Sequence, residues 1–133
     1  MGLLIGDDDT VMVVDDSDDI RELMCMMLRG MGYRVVEAAN GEEAVDLSLL
    51  FHPALILMDL SMPVLDGYEA LNLLRANPST SSVPVVALTA HALTADRDNI
   101  LGAGFDGYIA KPAEPRAVVA EVERRIGPAS ADG

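Results

Sequence analysis

The stretch Ala54-Leu-Ile-Leu-Met-Asp59, followed by Leu60-Ser-Met-Pro-Val-Leu-Asp-Gly67, predicts the fold more directly than any other part of the chain. Its unbroken apolar run is typical of a short strand that is buried on both faces, as in a parallel sheet. Pro63 and the Asp66-Gly67 pair then predict a loop. Because a carboxylate is costly to bury inside a sheet, we expect Asp59 at the strand's carboxyl end, in the crevice where open α/β sheets bind ligands.

The composition of the 133-residue chain indicates one domain with its own core, since 50% of its residues are hydrophobic. No apolar run approaches the roughly 18 residues that cross a bilayer, and the N-terminus lacks the features of a signal peptide. The net charge of −13 disfavours direct contact with nucleic acid or an anionic membrane. Cys25 is the only cysteine, so no internal disulfide can form and a cytoplasmic location is expected.

Further apolar stretches predict the remaining strands, at residues 11–14, 33–38, 83–89 and 107–110. Helical periodicity and capping residues predict a helix after each strand, and the first helix should pack an apolar stripe on the sheet. That stripe consists of Ile20, Leu23, Met24, Met27, Leu28 and Met31. The alternation of strand and helix favours a doubly wound parallel sheet with helices on both faces. We expect a domain over 11–127, an N-terminal extension at 1–10 and a flexible tail at 128–133.

Reactive side chains follow most of the predicted strands. The first strand ends on Asp15-Asp16, the third on Asp59, the fourth on Thr89 and the fifth on Lys111. Because the carboxyl ends of parallel strands lie at one edge of a sheet, these residues are expected to converge. Clustered carboxylates repel one another unless a cation joins them. Mg²⁺ is suited to this role, since it binds a few carboxylates and still accepts a phosphate oxygen.

These residue types fit phosphoryl transfer to Asp59, with an aspartyl phosphate as the product. A metal ion and the Lys111 ammonium would neutralise charge on the transferred group and position it for in-line attack. Thr89 would hydrogen-bond the new phosphoryl group, and the small Ala90 leaves room for its entry. Taken singly, each residue has an ordinary structural explanation, such as a helix cap or a surface charge. Their joint placement at successive strand ends favours function.

Five short motifs occupy these strand ends and the loop after Asp59. They are Val13-Val-Asp-Asp16, Met58-Asp-Leu-Ser-Met-Pro63, Asp66-Gly67, Ala87-Leu-Thr-Ala90 and Tyr108-Ile-Ala-Lys-Pro112. In this order and spacing they make the chain similar to the receiver domain of two-component response regulators, over roughly residues 10–127. The resemblance implies a flavodoxin-like fold with five strands in the order 2-1-3-4-5 and five helices. It also implies that Asp59 is phosphorylated by a histidine kinase or a histidine phosphotransfer protein.

The resemblance implies a set of metal ligands as well. Mg²⁺ would be bound by Asp16, Asp59 and the backbone carbonyl of Ser61, with Asp15 contributing through water. The peptide bond before Pro112 is usually cis in the family, which directs the preceding lysine into the site.

The resemblance further implies a conformational switch. Thr89 would move toward the phosphoryl oxygens, and Tyr108 would rotate inward and change the surface of the fourth helix, fifth strand and fifth helix. Water would later hydrolyse the phosphate. Ser61 and His91 flank that approach and differ among family members, so the phosphate lifetime stays open.

The output of the switch is less defined. No DNA-binding or enzymatic region follows the last predicted helix, so we expect a stand-alone signalling protein, not an enzyme, that binds a downstream protein target. A receiver module of a hybrid histidine kinase or of a larger regulator is the alternative. Whether phosphorylation also promotes dimerisation stays open.

Three other functions fit the residues less well. A haloacid-dehalogenase-like phosphatase would need a second aspartate at the position of Ser61. A flavodoxin-like redox protein would need a hydroxyl- and glycine-rich phosphate loop where Asp15 and Asp16 stand. A receiver that binds partners without phosphorylation is disfavoured, because no site residue is missing.

Overall fold

In the computed structural model, which describes residues 10–90 and 94–128, strands and helices alternate along the chain. The elements are β1 (Thr10–Val14), α1 (Asp18–Gly30), β2 (Arg34–Ala38), α2 (Gly41–Phe51), β3 (Leu55–Asp59), α3 (Gly67–Ala76), β4 (Val85–Thr89), α4 (Thr94–Gly102), β5 (Gly107–Ala110) and α5 (Pro115–Ile126). None of the described helices has the length and apolarity needed to cross a bilayer.

The boundaries differ slightly from those expected. Thr10, assigned to the N-terminal extension, is the first residue of β1 and pairs with Arg34 of β2. The rest of the extension and residues 129–133 of the tail lie outside the described residues, as do residues 91–93, which precede α4.

The five strands form one parallel sheet in the order β2-β1-β3-β4-β5, which confirms the expected fold. The central strands β1, β3 and β4 are buried along their whole length, whereas β2 and β5, at the two edges, are partly exposed. The register pairs Val14 with Met58, and Asp59 with Leu88. The strands therefore end nearly level with one another, and the residues that follow them share one edge of the sheet.

Side chains that alternate along each strand form one core on each face of the sheet. In β1, Met12 and Val14 contribute to one core, which also contains Leu71 and Leu74 of α3. The other core is covered by α1 and α5 and is formed by residues that include Val11, Val13, Leu28, Leu57, Val118 and Val122. Burying each such side chain contributes about 1.5–3 kcal/mol, so the sheet is a rigid platform for its carboxyl edge.

Helix α1 buries a narrower face than the expected stripe. Met24, Cys25 and Leu28 are buried, whereas Ile20 and Leu23 are 41% and 67% exposed. The helix packs on the sheet along one line only, so the residues beside that line stay in contact with solvent. Burial raises the pKa of the Cys25 thiol to about 11, which keeps it protonated and unreactive.

The loop between β3 and α3 is held by close backbone contacts. Asp66 caps α3 in a reciprocal capping box with Glu69. A Cβ atom on Gly67 would lie 2.7 Å from the Asp59 carbonyl oxygen, and one on Gly41 would lie 2.4 Å from the Leu65 carbonyl oxygen. Any larger residue at these two glycines would push the loop away from the end of β3.

Val64, in the same loop, has an uncommon backbone conformation. Its φ is +70°, and the N–H of Leu65 donates to the carbonyl of Pro63 at 2.7 Å, which closes a γ-turn around it. With this φ the turn is the classic γ-turn, which is rare and strained, at a cost of about 1–3 kcal/mol, and a β-branched residue with positive φ is a clear outlier. The Val64 side chain is 76% exposed, so little packing offsets this strain.

We predict that Val64→Asn stabilises the protein, because asparagine tolerates positive φ. The unfolding free energy should rise by about 1 kcal/mol, which corresponds to an increase in Tm of about 4 °C. Thermal unfolding followed by circular dichroism checks this. Val64→Ile, which keeps the β-branch, should leave Tm unchanged, and a lower Tm for the asparagine variant would contradict the assignment of strain.

Candidate functional site

Three carboxylates meet at the carboxyl edge of the sheet. One oxygen from each of Asp15, Asp16 and Asp59 lies within 4.8 Å of the other two. β1 and β3 are neighbours in the sheet, so the residues at their ends are brought together by strand pairing alone. Asp15 is fully buried and Asp59 is 3% exposed, whereas Asp16 is exposed. The cluster thus has two carboxylates at its floor and one at its rim.

Lys111 places its ammonium between the two buried carboxylates. Its Nζ atom lies 3.1 Å from Oδ2 of Asp59 and 3.3 Å from Oδ2 of Asp15. The backbone N–H of Lys111 donates to the Thr89 carbonyl at 2.7 Å, which continues the pairing of β4 with β5 by one residue. The bond between Lys111 and Pro112 is cis, the conformation that the resemblance implies.

Backbone donors hold the other oxygen of each buried carboxylate. The N–H of Ser17 donates to Oδ1 of Asp15 at 2.9 Å, and the N–H of Ser61 donates to Oδ1 of Asp59 at 3.2 Å. Among the described residues, the buried Oδ2 atom of Asp15 has no polar partner other than the Lys111 ammonium. Both Oδ2 atoms therefore face the interior of the cluster.

Burial and mutual repulsion shift the protonation of the cluster. Desolvation raises the pKa of Asp59, and the charge of Asp15 raises it further, against the opposing effect of Lys111 and the Ser61 N–H. Burial by itself lowers the pKa of Lys111, but its hydrogen bond to Asp59 and the charge of Asp15 raise that pKa overall. Lys111 is therefore an ammonium at neutral pH, and the ionised form of Asp59 is disfavoured in the folded protein without a further cation.

The cluster fits a hard divalent cation. When ionised, three carboxylates and one ammonium carry a formal charge of −2, which such an ion neutralises. All the offered donors are carboxylate oxygens, the ligands that Mg²⁺ prefers. Oδ2 of Asp15 is buried with the Lys111 ammonium as its partner, and Asp16 is open to solvent, from which the ion would enter. Asp15, Asp16 and Asp59 are the residues that would hold it.

The two expected switch residues lie on β4 and β5. Thr89 is 5% exposed and pairs with Ala110 at the same edge of the sheet as Asp59. Tyr108 is half-buried, and its hydroxyl accepts a hydrogen bond from Nη1 of Arg97 in α4 at 3.3 Å. The structure thus places Thr89 at the carboxyl edge of the sheet, as it does Asp59, and Tyr108 beside α4. His91 lies outside the described residues.

The sequence matches the family model of the response regulator receiver domain over residues 11–123. The chain belongs to this family. The five motifs on which the resemblance was based lie within the matched residues, and the strand order that the resemblance implied is the observed one.

Curated relatives of the receiver differ in length. This chain is 42% identical over 116 residues to the Cyanophora paradoxa protein named "Probable transcriptional regulator ycf27". The match covers 87% of this chain and 46% of that protein. It is 37% identical over 114 residues to an uncharacterized 14.6 kDa protein of Leptolyngbya boryana, with 86% and 87% covered. The receiver therefore spans about half the length of the first relative and most of the second.

Solved structures of receivers superpose well on this one. The receiver domain of a sensor histidine kinase from Pseudomonas aeruginosa PAO1 gives a TM-score of 0.82 at 39% identity, covering 90% of this chain and 98% of that one. That structure contains a magnesium ion coordinated in its active-site cleft. Chemotaxis protein CheY4 of Vibrio cholerae also gives a TM-score of 0.82, at 28% identity, with 87% and 97% covered.

An apolar groove of about 500 Å³ opens beside the acidic cluster of the receiver. It is lined by Ile20, Leu23, Met24, Ala90, Lys111, Pro112 and Ala113. Ile20 and Leu23, which were expected in the core, are instead part of this surface. The available signal was the width of the stripe on α1, which has more apolar positions than one line of contact with a sheet can cover.

Arg21, which no motif in the sequence indicates, also neighbours the site. Its Nη1 donates to the backbone carbonyl of Asp15 at 2.7 Å. The only signal in the sequence is a basic residue one turn after the acidic start of α1, a pattern that is common in ordinary helices.

The shifted pKa of Asp59 predicts a pH-dependent stability difference in Mg²⁺-free buffer. Because that pKa is raised on folding, the stability from protonated Asp59 is complete below the ordinary value of 3.8 and is lost as pH rises through the folded pKa. Asp59→Asn is uncharged at every pH. We expect this variant to be more stable than wild type at pH 7, with the difference shrinking toward pH 4.

Urea unfolding of both proteins in EDTA at a series of pH values measures this difference. The expectation would be contradicted by a variant that is less stable than wild type at pH 7, or by a stability difference that does not change with pH. Either result would show that folding does not disfavour the ionised Asp59 carboxylate.

Proposed function

We propose that this receiver accepts a phosphoryl group on Asp59 from a phosphohistidine of a histidine kinase or a histidine phosphotransfer protein. The observation that supports this best is the position of the Lys111 ammonium, 3.1 Å from Asp59 and 3.3 Å from Asp15. A purely structural ion pair would not require a second buried carboxylate at the same ammonium, nor a third at the rim. A site that gathers phosphoryl oxygens and a divalent cation requires all of them.

The transfer is an in-line displacement at phosphorus. A carboxylate oxygen of Asp59 forms the new P–O bond while the P–N bond to the donor histidine breaks, and the imidazole leaves with the electron pair and takes up a proton. Lys111 neutralises the phosphoryl oxygens, and the hydroxyl of Thr89 donates to one of them. Mg²⁺ would be held by Asp16, Asp59 and the carbonyl of Ser61, with Asp15 contributing through water, and it would supply further charge neutralisation.

The apolar groove is where we place the phosphodonor. It lies against Lys111 and is lined by Ile20 and Leu23 of α1, so a protein seated there brings its histidine next to the acidic cluster. Asp18 and Asp19 precede Ile20 in the first turn of α1 and give this end of the helix a negative charge. The groove therefore suits a partner with an apolar face flanked by basic residues.

Phosphorylation would change the surface formed by α4, β5 and α5. A new phosphoryl group would draw Thr89 toward Asp59, and Tyr108 would turn inward into the vacated space. The hydrogen bond from Arg97 that holds the Tyr108 hydroxyl in the unphosphorylated state is exposed, so breaking it costs little. The result is a shift between two packings, read by a downstream protein or a second copy of the chain.

The covalent chemistry is self-limiting, not multiple-turnover catalysis on small phosphate esters. Water attacking the aspartyl phosphate in line would return the receiver to its starting state, so the signal decays on its own. We place this exchange in the cytoplasm. The downstream partner is a protein rather than nucleic acid, in keeping with the net charge of −13.

We predict that Asp59→Asn abolishes labelling by radioactive acetyl phosphate in the presence of Mg²⁺, because the amide is not a nucleophile for phosphorus. Asp66→Asn is the matched control. Asparagine caps a helix as well as aspartate does, so this variant should be labelled like wild type. Equal labelling of the Asp59 variant would refute the assignment of the phosphorylation site.

Lys111→Ala should still bind Mg²⁺, yet fail to convert phosphorylation into a conformational change. The reason is that Lys111 connects β5 to the acidic cluster through its ion pairs. NMR chemical shifts of β5 and α5, recorded with and without beryllofluoride, measure the coupling. Arg116→Ala, which removes an exposed cation of α5, should respond like wild type. A wild-type response in the Lys111 variant would count against the proposed switch.

A further inference from the structure

Arg21 joins three parts of the chain next to the acidic cluster. Its Nη1 donates to the Asp15 carbonyl at 2.7 Å, its Nη2 to Oδ1 of Asp18 at 2.6 Å and its Nε to Oε1 of Glu37 at 3.3 Å. These acceptors belong to the end of β1, the start of α1 and the edge strand β2. Only 13% of the Arg21 side chain is exposed. One planar guanidinium therefore cross-links the turn between β1 and α1 to the sheet.

The hydrogen bond from Arg21 to the Asp15 carbonyl fixes the orientation of the peptide plane between Asp15 and Asp16. The carbonyl that Arg21 holds belongs to the peptide unit that joins Asp15 to Asp16, and the atoms of that unit are coplanar. On its other side Asp15 is fixed by its N–H, which donates to the Ala38 carbonyl at 3.1 Å. Asp16 is exposed, so packing contributes little to the direction of its carboxylate. The orientation of the preceding peptide then decides whether that carboxylate points toward Asp59.

We propose that Arg21 is a positioning residue for the divalent cation site, acting through the peptide between Asp15 and Asp16. This inference rests on the proposed function, in which the cluster holds Mg²⁺. Among the described residues, the hydrogen bonds of Arg21 go to the Asp15 carbonyl, Asp18 and Glu37 and not to the carboxylates of the cluster. Its effect on the ion is therefore indirect.

Charge and position predict opposite results for the loss of Arg21. A cationic side chain near a cation site weakens binding by repulsion, so removing its charge alone should strengthen Mg²⁺ binding. If Arg21 orients the ligands instead, its removal should weaken binding, as loss of residues that orient metal ligands does, by about 10-fold or more. The sign of the change in Kd separates the two.

Arg29 offers a matched control. It also pairs with Glu37, at 3.3 Å, but its second hydrogen bond goes to the Val35 carbonyl at 3.1 Å instead of to Asp15. Arg29→Ala removes the same charge from the same network. We expect its Mg²⁺ affinity to stay within about twofold of wild type, whereas Arg21→Ala should bind about 10-fold more weakly.

The experiment is a calorimetric titration of the full chain with MgCl₂, combined with thermal unfolding of each variant in EDTA. Arg21→Lys keeps the charge and the methylene stem but cannot bond three acceptors in one plane, so it should fall between wild type and Arg21→Ala. This milder variant carries the test if Arg21→Ala does not fold. A structural role alone would lower Tm in the Arg21 and Arg29 variants without separating their Kd values.

The outcomes distinguish this inference from the proposed function. If wild type binds Mg²⁺ and both Arg21 variants bind it equally well or better, the positioning role is wrong while the proposed function stands. An equal loss of affinity in Arg29→Ala would also overturn the positioning role. If wild type itself does not bind Mg²⁺, the proposed function fails and the inference fails with it.

Discussion

The ammonium of Lys111 between two buried carboxylates is the interaction on which the rest of the site depends. At about 5 Å and an effective dielectric of about 20, two such carboxylates repel by on the order of 3 kcal/mol, and both have lost hydration. A single cation 3.1 Å from Asp59 and 3.3 Å from Asp15 offsets that repulsion. It leaves Asp16 and a net negative charge at the rim, where a divalent ion and phosphoryl oxygens would complete the balance. Without a bound ion the site therefore keeps a net negative charge, which favours the binding of a cation.

The stability of the sheet offsets the unfavourable free energy of burying these charges. Asp15 follows β1 and Asp59 is the last residue of β3, two strands that are buried along their whole length, and Lys111 follows the edge strand β5. Parallel pairing of the backbones brings these strand ends to one edge, so their convergence does not depend on the ion pairs between the side chains. The apolar cores on both faces supply the stability that the acidic cluster removes. Local backbone devices, such as the close approach of Gly67 to Asp59, then set the loop that carries Ser61.

The fold and the convergence at the sheet edge were predictable, because both follow from the period of apolar residues and from what stands at each strand end. The strand order required the resemblance, since alternation alone does not specify which strands are neighbours. The partial exposure of α1 was missed although its apolar stripe is wide, because such a stripe shows where a helix can be buried and not how far a neighbouring surface extends. Arg21 was missed for a different reason. It donates to the backbone carbonyl of Asp15, and every residue has such a carbonyl, so the pattern of side chains does not indicate this hydrogen bond.

Paramagnetic relaxation by Mn²⁺ tests most directly whether one ion is held at the carboxyl edge of the sheet. A strand of five residues separates the two edges by roughly 15 Å, so a small amount of Mn²⁺ acts on them very differently. The account predicts that the amide signals of Asp16, Ser61 and Lys111 broaden first and recover when excess Mg²⁺ is added. Signals of Val85 and Gly107, at the opposite edge, should persist. Uniform broadening, or broadening centred away from Asp59, would contradict the account.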